Sequence, residues 1–90
     1  MQKLSFSDVW QRIITNEGNT FKTRTEKEFT YKILGNGLIT TRTEHKLSKG
    51  DFEKAYNMMP IDGPGVINNI VRGSAYIWSI LNDNGVNPDL

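Results

Sequence analysis

The chain has 90 residues, enough for one small domain and too few for two. Apolar residues make up 37% and charged residues 23%, a globular composition, and the longest apolar runs fall far short of the about 20 residues that a membrane span needs. The absence of cysteine excludes disulfides and thiolate metal sites.

Met1 to Phe6 contains no apolar run of the kind that marks a secretory signal, so a cytoplasmic protein without membrane contact is expected. Net charge is only +1, but it is unevenly spread. Residues 20–49 hold seven Lys/Arg against three Glu, while the remainder holds four basic and seven acidic residues. Such asymmetry is one way in which an anionic partner leaves its mark.

Ser5 to Asn16 has helical spacing, with Phe6, Trp10, Ile13 and Ile14 as its apolar stripe. Ser5 or Ser7 can cap it, and with Ser5 as cap Asp8 falls at the third position. Gly18 suits a left-handed residue after the helix. The spacing of Trp10 favours core packing over a binding role.

Three strands follow: Thr20 to Thr25, Glu28 to Leu34 and Leu38 to Thr43. Gly35-Asn36-Gly37 is the strongest turn signal in the chain. A three-residue loop pairs Leu34 with Leu38, Ile33 with Ile39 and Tyr31 with Thr41, which keeps apolar residues on one face. A two-residue Asn36-Gly37 loop mixes the faces, so the longer loop is expected, with Gly37 at positive φ. Thr23-Arg24-Thr25-Glu26 recurs as Thr41-Arg42-Thr43-Glu44. The flanks differ, so this reads as shared strand-end chemistry, not duplication.

Leu47 to Met59 is a well-specified helix. Ser48 is its cap, Asp51 stands three residues on, and Leu47 with Phe52 forms a hydrophobic staple. Pro60 ends it. Val66 to Val71 fits either a short helix or a strand. Ser74 can cap a last helix through Leu81, apolar nearly all round and so central. Residues from about 84 read as a loose tail. The expected architecture is therefore a single α+β domain: an N-terminal helix, a three-stranded antiparallel β-meander, then two or three C-terminal helices packed on one sheet face.

Little in the sequence supports catalysis or cofactor chemistry. His45 is the only histidine, and a solvated surface position between Glu44 and Lys46 is expected for it. An acid–base group of Arg42, Glu44 and His45 is the weakest functional reading, because nothing places it in a pocket. Asp51 and Glu53 point in different directions on a helix, so no metal site is expected. Arg72, Gly73 and Ser74 open a helix and form a candidate anion site, although most such pairs are simple caps.

The expected function is that of a non-enzymatic binding module. Lys22, Arg24, Lys32 and Arg42 should project from the sheet face opposite Phe21, Phe29, Tyr31 and Ile33, with Lys46 and Lys49 close by. Lysine and arginine beside Thr30 and Thr40 resemble a nucleic-acid backbone contact set. The plainer alternative is a solvated face whose lysines keep sheet edges from pairing, and the lack of exposed aromatics counts against a single-strand platform. Leu34 and Leu38, exposed together at the hairpin tip, form a candidate interface for a protein-interaction or inhibitor module that could be dimeric.

Overall fold

The computed structural model describes residues 4–83 and 85–87. It is a small α+β domain with three helices and two antiparallel sheets. Helix α1 spans Phe6–Thr15 and begins as its sequence dictates: Ser5 Oγ accepts the Asp8 N–H at 3.2 Å. Its buried stripe is Val9, Trp10 and Ile13. Ile14 faces outward, and Val9, absent from the expected stripe, takes its place. The apolar face of α1 is thus rotated by part of a turn from the expected one. Gly18, at φ +89°, reverses the chain beyond the helix.

The strands are short. β1 (Phe21–Lys22) pairs with β2 (Glu28–Phe29), setting Phe21 opposite Phe29 and Lys22 opposite Glu28. β3 (Tyr31–Leu34) pairs with β4 (Gly37–Thr40), which pairs in turn with β5 (Leu47–Ser48). The expected meander is therefore divided. Its second strand splits at Thr30 into β2 and β3, and the third strand of the larger sheet is β5, which the capping pattern of the following helix concealed. Thr30 keeps the two halves in step: Thr41 N–H donates to Thr30 O at 2.9 Å, and Thr30 N–H donates to Thr41 Oγ1 at 3.1 Å.

The hairpin register differs from expectation. Tyr31 pairs with Thr40, Lys32 with Ile39, Ile33 with Leu38 and Leu34 with Gly37, leaving only Gly35-Asn36 in the loop. Gly35, not Gly37, takes positive φ (+54°), as primed two-residue turns require of their first central residue. The reason lies in β5. A Cβ at Gly37 would stand 2.5 Å from Leu47 O, so the glycine is needed where the β5 backbone crosses. Leu38 then lies opposite Leu47, and both are fully buried. The inner face carries Tyr31, Ile33, Leu38 and Thr40; the outer face carries Lys32, Leu34 and Ile39. Leu38 is consequently not exposed at the tip beside Leu34.

The free edge of β3 is closed by the loop after α1. Gly18 N–H donates to Tyr31 O at 3.2 Å, and Ile33 N–H donates to a Glu17 carboxylate oxygen at 2.7 Å. Those are two of the groups that a further strand would use.

Helix α2 (Lys49–Met58) starts as expected, with Ser48 Oγ accepting the Asp51 N–H at 3.1 Å and with Leu47 and Phe52 both buried. Of the two expected elements for the 66–71 stretch, the short helix is realised in part: a 3-10 helix at Pro64–Ile67 is followed by irregular turns. Helix α3 (Ser74–Leu81) buries Ile77, Ile80 and Leu81 centrally. Its cap position is Gly73 at φ +74°, not Ser74, whose hydroxyl donates to Asn68 instead. Leu47 presses on Gly73 where a side chain would sit, which explains the glycine.

Aromatic rings join the layers. Trp10 meets Phe52 edge-on at 5.6 Å, and Phe29 meets Tyr76 edge-on at 5.1 Å. The chain after α3 is not loose as far as it is described: Val86 and Asn87 are buried, and their N–H groups donate to Asp83 O. Residues 84 and 88–90, also assigned to a tail, lie outside the described residues.

Candidate binding surfaces

The outer side of the strands carries part of the expected basic set. Exposure alternates from Glu28 through Thr30 and Lys32 to Leu34, placing Lys32 outward, while Lys22 faces outward opposite Glu28. Arg42 belongs here too: its Nε donates to Glu28 O at 2.7 Å. That bond orients the guanidinium, and its terminal amino groups, a donor fork, have no partner among the described residues. Beside these cations runs an open groove of about 570 Å³, lined by Glu17, Gly18, Thr30, Lys32, Ile39 and Thr41 among others.

The remaining predicted cations lie elsewhere. Arg24 turns toward the helices, where Nη1 donates to Asp62 O at 3.0 Å and the guanidinium lies 5.7 Å from the Trp78 ring centre. A Cβ at Gly63 would overlap that Nη1, so the glycine makes the space that Arg24 fills. Lys49 is half-buried with its ammonium 5.8 Å from the Trp10 ring centre. The methylenes of Lys46 lie against Gly37 at the β5 end. Thr40, expected on the basic face, points inward and is buried, bonded through its hydroxyl to Thr43 Oγ1.

Arg72, Gly73 and Ser74 do stand at the start of α3, but a carboxylate is already there. Asp51 Oδ2 accepts the Arg72 N–H at 3.3 Å. His45 is half-buried, not solvated, and its Nε2 is enclosed with no partner among the described residues. Arg42 bonds Glu28, so its Nε serves the sheet and not the His45 loop. Among the described residues, no cluster of three His, Asp or Glu could hold a metal ion, and no helix is long and apolar enough to cross a membrane.

Tyr31 has the most perturbed titration. Burial, with smaller contributions from the Asp83 and Glu17 carboxylates, holds its hydroxyl well above the ordinary tyrosine range. The hydroxyl donates to Ile13 O, so it ties the sheet to α1 and is not presented to solvent.

One cleft has no counterpart among the sequence expectations. Thr23, Arg24, Thr25 and Lys27 from the β1–β2 connection face Pro64, Ala75 and Tyr76 across about 250 Å³. No spacing signal links Lys27 to Tyr76; only the packing of α3 behind the β1–β2 pair brings them together. No family model, curated protein or solved structure matches this chain.

Proposed function

We propose that the chain is a small non-enzymatic binding module that contacts nucleic-acid backbone through the outer side of β1 to β4. The observation that carries this reading is the row of Lys22, Lys32 and Arg42 beside the hydroxyl-bearing Thr30 and Thr41, with the Arg42 fork oriented by its bond to Glu28 O. Cations beside hydroxyls suit phosphate oxygens, and a guanidinium fixed in advance loses less freedom on binding. Arg24 is not part of this surface. Nor are stacking rings, because Phe21, Phe29 and Tyr31 all face the core. Backbone contact without base stacking is the mode this surface fits.

The test is binding of duplex DNA and RNA across a salt series. The Lys22→Ala/Lys32→Ala/Arg42→Ala variant should bind more weakly, with a log–log salt slope shallower by about 0.9 for each phosphate that the substitutions leave unneutralised. Equal affinity and slope for the two proteins would remove the proposal.

One observation favours a second reading. Leu34 is 43% exposed and shares the outer face with half-buried Ile39, an apolar pair that suits a protein partner. Sedimentation of wild type against Leu34→Asp addresses it: self-association that disappears in the variant supports an interface there, and a concentration-independent monomer in both opposes a homodimer.

A further inference from the structure

We infer that the cleft between the β1–β2 connection and α3 is a phosphate site, built to take a phosphate dianion or the phosphate of a monoester. It is distinct from the outer surface, because Arg24 and Lys27 here face α3 and the Pro64 turn.

The lining argues the ligand class. Arg24, Lys27, Tyr76 and two threonines line it, and none of its described residues is acidic. The neighbouring Glu26 and Glu28 do not line it. Among the described residues neither cation is in an ion pair; the ion pair seen there joins Lys54 to Asp51. Unopposed charge of one sign in a concave site draws an ion of the other.

The donors are also placed in advance. Arg24 is held at one end by Asp62 O and on its face by Trp78, which leaves most of its N–H groups for a ligand. Thr23 Oγ1 accepts the Lys27 N–H at 3.1 Å and lies 3.1 Å from Thr25 Oγ1. With its oxygen engaged by Lys27, Thr23 can pass its proton toward Thr25, which frees the Thr25 hydroxyl to donate into the cleft. Tyr76 packs its ring on Phe29 and lines the opposite wall.

Size narrows the choice further. Sites for drug-sized ligands usually occupy about 300–1,000 Å³, so a cleft of about 250 Å³ suits one compact group better than a whole cofactor. A tetrahedral dianion with several acceptor oxygens matches this many donors.

The experiment is an amide NMR titration with inorganic phosphate at fixed ionic strength and pH 7.5. Two further arms use a nucleoside 5′-monophosphate and the same nucleoside without phosphate. Saturable shifts are expected at Thr25, Lys27, Ala75 and Tyr76 with both phosphate compounds. Tighter binding of the monoester would identify an ester as the natural source, and equal or weaker binding would identify free phosphate. Lys27→Ala and Tyr76→Phe, which keep the ring packing and the Arg24 anchor, should each weaken binding by about tenfold, as expected when one charge-assisted hydrogen bond is removed. Linear shifts without saturation, equal affinity in both variants, or equal binding of the bare nucleoside would each overturn the site. Duplex binding need not change in these variants, so failure of this site and failure of the outer surface are separately visible.

Discussion

The two faces of the β3–β4 hairpin are built from alternating residues of the same ladder, yet they do different work. Leu38 on the inner face is fully buried, while Leu34, four residues earlier and across the same turn, is 43% exposed. The inner face is fixed by contact with α1, β5 and the core. The outer face carries Lys32 and Leu34, both exposed, and half-buried Ile39. A face is assigned by what pairs with the strand: β5 pairs beside Gly37 and Leu38, and that pairing settles the parity of every neighbour.

Substitutions can break this contrast. The largest effect is expected for Leu38→Ala, about 2–5 kcal/mol by urea unfolding, against a change within about 0.5 kcal/mol for Leu34→Ala. Similar destabilisation in both would mean that the register is wrong. Gly37→Ala should cost about 1–3 kcal/mol, because the new methyl meets the Leu47 backbone and not a yielding side chain.

Tyr31 sharpens the same contrast through pH. Its folded hydroxyl titrates above the unfolded value near 10, so its contribution is intact below about pH 10 and is lost as pH rises beyond that. Between pH 10 and 11 wild type should lose about 1 kcal/mol more than Tyr31→Phe, measured by unfolding at each pH. Identical alkaline slopes would show that the hydroxyl is not enclosed. The smallest effect belongs to the outer face: Lys32→Ala should shift stability by less than about 0.5 kcal/mol while weakening duplex binding. A large stability loss there would give Lys32 a structural role instead.

Features that depend on a few adjacent residues are legible in the sequence. Ser5 with Asp8, and Ser48 with Asp51 and the Leu47–Phe52 staple, specify helix starts without help from distant chain. The α+β class follows from the same local patterns. Register is not legible, because the choice between Gly35 and Gly37 as the turn glycine depends on β5, ten residues downstream of Gly37. The two Thr-Arg-Thr-Glu stretches show the same limit for the candidate sites. Both form turns closed by threonines, but their arginines part: Arg42 returns to Glu28, while Arg24 goes to Asp62 because Gly63 leaves room for it. Nothing in four shared residues encodes a glycine nearly forty positions away.

The closure of the β3 edge by Glu17 and Gly18 has a consequence for colloidal behaviour. An incoming strand would have to expel a carboxylate and an amide already bonded to Tyr31 and Ile33 before it could zip onto the sheet. The loop after α1 thus acts as a built-in plug against strand addition and fibril growth from this side of the sheet.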